Sequence, residues 1–310
     1  FFGAANTQTN YEVSLLNPLR GPQAPWRYKT ELWEFKEQKL VSRSPRTVPK
    51  PNPEQGLAAL EAVRRRPGDP ALELLDALRG FAIFSPTTPV LRGIARELQP
   101  REPVGLSGGG LPMAVKELIR LRRKVKWLRT FTKLYFMLDW AKAFGFASAA
   151  SVPLSPSAAA SSEVVKFTDR FMKEKSNVLT GFDASEGALH VLFAAALALS
   201  PQSPRFFAID NVDQTLNPRL ARRLAEAICA WIVDGEIQKQ VLLTAQNPAV
   251  LDGLPLQDDR VRLFTVGRSN TGRTVVRRVD VTKDIMERVD KGWSLSRLWV
   301  QGHLGGVPNV

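Results

Sequence analysis

The 310 residues carry 43 Lys+Arg against 30 Asp+Glu, a net charge of +13, with 44% hydrophobic and 24% charged content, which excludes wholesale disorder. The single cysteine, Cys229, excludes a disulfide framework or multi-cysteine zinc site, and two histidines, His190 and His303, leave little room for histidine-based metal chemistry. No apolar run reaches the ~18–20 residues of a membrane span and no secretory signal is present, so a cytoplasmic protein without membrane contact is expected.

The chain opens at Phe1 without an initiator methionine. Tyr11–Leu16 and Trp26–Trp33 alternate in the manner of strands, with Gly21-Pro22 as the turn, and a third short strand is expected over Gln38–Ser42. Four prolines in residues 44–53 mark a linker. Helical patterns dominate from Glu54 to about Phe144, and six Ala, six Ser and two Pro make residues 147–162 a low-complexity loop. Asp183 and Ser185 compete to cap an apolar helix over Ser185–Leu199. Arg205–Asp210 is a short apolar run ending in an acid and Gln240–Ala245 another buried strand, with a helix opened by Asn217-Pro218 between them. Val261–Arg268 and Arg273–Val281 flank Asn270-Thr-Gly272 as a hairpin, and two short helices close the chain. Apolar strands alternating with helices imply a parallel sheet covered on both faces. Three parts are expected: a β-lobe and linker (1–53), a helical insertion (54–163) and an α/β core (164–310).

The charge favours a polyanion partner. Eight cations lie between Lys116 and Lys133 against one acid, Glu117, while Leu118, Leu121, Val125, Leu128 and Leu134 recur at helical spacing. Arg120, Arg122, Arg123, Lys124, Lys126 and Arg129 are the candidate DNA contacts, with a solvated helix face as the plainer reading. Trp127 and Phe131 read as core. Cys229 and His190 read as packed, and Trp293 and Trp299 as core or interface anchors.

Ligands of such a sheet gather at the C-terminal strand ends. Asp210 ends one strand and Gln246 follows the next, 36 residues on. An acid there can hold Mg²⁺ or simply cap a turn. Asp183-Ala-Ser185-Glu-Gly187 offers a hydroxyl, a glycine and the open N–H groups of a helix start, the parts of an anion site.

In order, Ser185-Glu186-Gly187, Phe206–Asp210, Leu216-Asn217-Pro218 and Gln246–Asp252 resemble the C-terminal half of an ABC-type ATPase head. The likeness is to the RecF/SMC-like group of AAA-family ATP-binding proteins, which includes ATPases of anti-phage defence and OLD-type nucleases. The resemblance implies an α/β head with an antiparallel β-lobe, a helical insertion and a mostly parallel sheet flanked by helices. It makes Ser185, Glu186 and Gly187 the signature motif, acting on a nucleotide held by another subunit. Asp210 becomes the Walker B acid holding Mg²⁺ through water, Leu216, Asn217 and Pro218 the D-loop, and Gln246 the switch residue. Leu106-Ser-Gly-Gly-Gly110 imitates the signature, but Ser107 lies 103 residues before Asp210, whereas Ser185 lies 25 before it. It is therefore read as a loop.

Three departures bear on activity. No Gly-x-x-x-x-Gly-Lys-Ser/Thr cradle occurs in the 310 residues; it is expected upstream of Phe1, the other account being a degenerate head that binds nucleotide poorly or not at all. Asn211 stands where the family has its catalytic glutamate, and Gln246 where it has histidine. Loss of a general base costs ~10²–10⁴-fold, so slow hydrolysis is expected. The implied protein is a homodimeric or higher-order switch using ATP and Mg²⁺, contacting DNA and controlling an effector such as a Toprim-like nuclease. The competing reading is a non-catalytic scaffold that binds DNA or a partner protein. A nuclease in its own right lacks clustered acids.

Overall fold

The computed structural model describes residues 2–5, 8–16, 26–122, 128–158, 162–235 and 238–304. The chain divides into two compact units, Phe1–Phe81 and Ala82–Val310. The boundaries expected at 53 and 163 fall inside these units.

The first unit holds β1 (Phe2–Ala5), β2 (Thr9–Leu16), β3 (Arg27–Phe35) and β4 (Gln38–Arg43) as an antiparallel sheet in chain order. The Gly21-Pro22 turn lies outside the described residues. Helices α1 (Leu57–Arg64) and α2 (Glu73–Gly80) follow, and Trp33, Val41, Ala58, Ala62, Leu72 and Leu75 form the core. Gly56 stands at the N-cap of α1 and has no side chain to satisfy the first-turn donors. Glu31 of β3 does so instead, its carboxylate accepting from Leu57 N at 2.7 Å and Ala58 N at 3.0 Å. Glu31 is buried, with Arg43 Nε 3.9 Å away and the Tyr11 hydroxyl donating to it at 3.3 Å. Burial first, and this carboxylate second, raise the Tyr11 phenol above its usual range.

The second unit is built on β5 (Ile83–Phe84), α3 (Thr88–Leu91), α4 (Leu111–Arg122), α5 (Leu128–Met137), β6 (Ala141–Ser148), β7 (Glu163–Asp169) and β8 (Val178–Thr180). Then come α6 (Glu186–Leu199), β9 (Phe206–Ile209), α7 (Pro218–Val233), β10 (Gln240–Leu243), β11 (Leu263–Arg268), β12 (Thr274–Val279), α8 (Lys283–Asp290) and α9 (Leu295–Val300). Strands β10, β9 and β5 form a parallel sheet in that order, β6, β7 and β8 an antiparallel one, and β11 and β12 the expected hairpin. The α/β class with an antiparallel lobe and a helix-flanked parallel sheet is as the sequence implies.

Helices α1 to α5 lie between Glu54 and Phe144, where helical patterns are expected to dominate, and two strands fall among or just behind them. Phe84 pairs with Ile209 inside the parallel sheet, and Ala141–Ser148 is a strand whose Phe144 and Phe146 follow a period of two. The low-complexity stretch contains short turns at Ala149–Ser151 and Pro156–Ala158, with Ala158 fully buried. Finally, β10 is an edge strand, not a buried one, with alternate residues exposed. Apolar composition marks a strand but not its place in the sheet.

Helix α6 is buried at every position from Ala188 to Leu199, so it has no solvent face. His190 lies within it at 3% exposure, with no partner for Nε2 among the described residues. Burial lowers its imidazole to about 4, partly offset by Glu186. Cys229 packs in α7, and burial pushes its thiol up to about 11, an unreactive setting.

Two outcomes follow. Glu31→Ala leaves two helix donors and the buried Arg43 without their acid, and urea unfolding should register a loss of about 3–5 kcal/mol. Because the folded pKa of His190 lies below the unfolded 6.5, its contribution to stability is full above pH 6.5 and disappears as pH falls through about 4. His190→Leu should remove about 3 kcal/mol of that acid sensitivity in a stability–pH series.

Candidate functional site

The parallel pairing of β9 with both neighbours sets the site. Phe84, Ile209 and Leu243 share one row of the register. Asp210 N donates to Phe84 O at 2.9 Å and Thr244 N to Ile209 O at 3.1 Å, so the pairing runs one residue past the strands. Ser85, Asp210 and Thr244 therefore come level at the C-terminal edge, where ligands of parallel sheets collect. Strand alternation puts them on the face of Ile83, Ala208 and Leu242, not on the face of Phe84, Ile209 and Leu243. This face is open: Ile83 is 55% and Leu242 48% exposed. Ala208, between them on the same face, is buried, so it is the outer strands that this face leaves open.

The loops that follow β9 and β10 are laced together reciprocally. Thr244 Oγ1 donates to Asp210 Oδ1 at 2.5 Å and accepts from Asn211 N at 2.8 Å. In return, Asp213 Oδ2 accepts from Gln246 N at 3.0 Å and Asn247 N at 2.5 Å. Val212 N adds a bond to Thr244 O at 2.9 Å. Asn211 sits at φ +50, a left-handed conformation that asparagine tolerates better than most residues. Its Oδ1 accepts from Gln246 Nε2 at 3.4 Å, so the two amides meet each other.

Asp210 is half-buried, and among the described residues only Oδ1 of its carboxylate is hydrogen-bonded. One carboxylate with an open oxygen suits Mg²⁺, which keeps waters and substrate oxygens in its shell. No group of three or more His, Cys, Asp or Glu able to hold a metal occurs among the described residues, so an all-protein cage is not what the site offers.

The signature segment lies at the start of α6. Ser185, not Asp183, caps the helix, its Oγ accepting from Ala188 N at 3.3 Å, while Asp183 accepts from the Thr180 hydroxyl at 2.9 Å. Ser185 is exposed. A Cβ at Gly187 would stand 3.3 Å from Leu216 Cδ2, so this glycine lets the helix pack closely on the D-loop segment. Asn217 caps α7 through Leu220 N at 2.9 Å, with Pro218 in the first turn. At the far end of α6, Lys239 Nζ donates to the carbonyls of Leu197, Ala198 and Ser200 at 3.1, 3.0 and 2.6 Å.

Leu106–Gly110 is a loop, as expected. Its Ser107 and Gly109 N–H groups donate to Glu97, and Cβ atoms at Gly108 and Gly109 would fall within 2.5 Å of side chains. Among the DNA candidates, Arg123, Lys124 and Lys126 lie outside the described residues, and so does the Arg129 side chain. Arg120 pairs with Glu117 at 2.6 Å, and Arg122 donates to the Tyr135 hydroxyl at 2.7 Å. Phe131 is core, and Trp127 is outside the described residues. A cavity of about 350 Å³ lined by Leu256, Arg262, Arg278 and neighbours lies away from the strand ends.

Sequence reading missed Thr244, Ser85 and Arg92, and it left Asp213 without a role. Arg92 Nη2 donates to Ala184 O at 3.3 Å, just before the signature serine. None of the four leaves a local signal: Thr244 and Ser85 come level with Asp210 only through the pairing of β10 and β5 with β9, and Arg92 and Asp213 act through long-range contacts. Asp213→Ala should cost about 2–3 kcal/mol in chemical denaturation and speed amide exchange at Gln246 and Asn247.

Residues 167–252 match the family model described as "AAA domain, putative AbiEii toxin, Type IV TA system". No curated protein matches the chain. Three solved structures share 12% identity with it. One is from work on ATP-driven dimerisation and DNA-stimulated activation of SMC ATPases (TM-score 0.32, covering 54% of this chain and 96% of that one). Another is an Smc head with an extended coiled coil bound to the C-terminal domain of ScpA, from Pyrococcus furiosus (0.32; 53% and 39%). The third is an Smc head bound to the C-terminal winged-helix domain of ScpA (0.40; 90% and 77%). The matched segment, residues 167–252, contains Ser185–Gly187, Asp210, Leu216–Pro218 and Gln246.

Proposed function

We propose that the chain is part of a slow, ATP-dependent switch. On this reading ATP and Mg²⁺ join two or more copies, and the joined state controls a DNA-directed effector in the cytoplasm, in a defence setting. The observation that carries it is the Asp210–Thr244–Asn211–Gln246 cluster at the C-terminal edge of the parallel sheet, inside the family-matched segment. The defence setting rests on the resemblance of the motifs alone. No helix among the described residues is long and apolar enough to cross a membrane.

The roles follow from chemistry at each position. Asp210 would hold Mg²⁺ directly or through water, and the bound ion supplies positive charge against the phosphate oxygens. Asn211 orients water by hydrogen bonding but takes no proton from it, since a neutral amide is no base at neutral pH. Gln246 holds Asn211 and can position the same water. Ser185 and the first-turn N–H groups of α6 present donors to the terminal phosphate of a nucleotide held by another copy. On this reading the phosphate cradle would be supplied from outside residues 1–310, and the edge of β10, where Leu242 is exposed, is a fitting seat for it.

A second reading, a non-catalytic scaffold, is favoured by the amide pair Asn211–Gln246, which replaces both residues that ordinarily handle the water and the phosphate. Mg²⁺-dependent binding of a non-hydrolysable ATP analogue by the full-length protein separates the two, since a scaffold binds none. Turnover should be slow in the wild type, lost in Asp210→Ala and in Ser185→Ala, and raised ~10²-fold in Asn211→Glu. Equal rates in the wild type and both alanine variants would remove the assignment.

A further inference from the structure

Thr244 uses every polar group it has on the end of β9. Its N–H donates to Ile209 O at 3.1 Å and its carbonyl accepts from Val212 N at 2.9 Å. Its hydroxyl has one proton and two lone pairs. The peptide N–H of Asn211 can only donate, so Oγ1 accepts from it at 2.8 Å, and the one proton goes to Asp210 Oδ1 at 2.5 Å. The direction of both bonds is therefore fixed by chemistry.

A carboxylate turns readily about its terminal torsion, so a lone strand-end aspartate has no preferred plane. A donor held on both sides by backbone bonds removes that freedom. We propose that Thr244 is the positioning residue of Asp210: its hydroxyl engages Oδ1 and fixes the carboxylate plane, leaving Oδ2 as the oxygen open to a divalent cation. The inference rests on the nucleotide-site reading above. The same hydroxyl holds Asn211 N, so one side chain from the switch strand governs both the acid and the amide beside it.

Thr244→Val keeps the shape and removes the hydroxyl, Thr244→Ser keeps the hydroxyl, and Asp210→Ala removes the carboxylate. The measurement is Mn²⁺ affinity of the full-length protein with a non-hydrolysable ATP analogue, read by electron paramagnetic resonance, with thermal unfolding recorded alongside. A hydrogen bond to a charged group corresponds to about tenfold or more, so Thr244→Val should weaken Mn²⁺ binding by ~10-fold, with Thr244→Ser within ~2-fold of wild type. Thr244→Ala should lose the same ~10-fold and carries the test if the valine variant does not fold. Wild-type affinity in Thr244→Val while Asp210→Ala loses the ion overturns the positioning role. So does equal loss in the valine and serine variants. Wild-type affinity in Asp210→Ala instead overturns the nucleotide-site reading itself.

Discussion

The hydroxyl of Thr244 between Asp210 Oδ1 and Asn211 N is the contact on which the candidate site depends. It exists because β10 lies parallel to β9 in a register that brings residue 244 level with residue 210. A shift of one residue would turn the Thr244 side chain to the opposite face of the sheet. Register is held by the apolar face of the sheet, where Phe207 and Ile209 are buried. Core packing and site geometry are therefore one constraint, and the fully buried helix α6 belongs to the same core.

The two loops beyond the strands hold each other by exchange. Thr244 reaches back to the first loop, and Asp213 reaches forward to the second. Each side chain answers groups that would otherwise be unpaired at a strand end, where ladder bonding stops. The arrangement leaves Asn211 and Gln246 as amide partners. A neutral pair changes no charge between pH 5 and 8.

Glycine and charge have different uses in different parts of the chain. Leu106–Gly110 resembles a phosphate-contacting motif in letters, yet its N–H groups are given to Glu97 of the same loop. Ser185–Gly187 has the serine cap exposed and the glycine against Leu216. In the first unit Glu31 performs for α1 the capping that Gly56 cannot. For Leu106–Gly110 and for α1 a carboxylate distant in sequence occupies the donors, whereas at α6 the cap is the local Ser185 hydroxyl.

Sequence alone determined the class of the fold and the order of its motifs. Local chemistry fixed the Ser185 and Asn217 caps, the apolar run ending at Asp210 and the hairpin about Gly272, since caps, turns and runs depend on near neighbours. Tertiary structure decided that β10 is an edge strand, that Phe84 joins the parallel sheet, that Ala141–Ser148 is a strand, and that Thr244, Asp213 and Arg92 bear on the site. Those facts depend on pairings between residues some 15 to more than 120 positions apart, which no local pattern encodes. An apolar stretch states only that it will be buried or paired, and the partner that settles which face it shows is chosen by the whole chain.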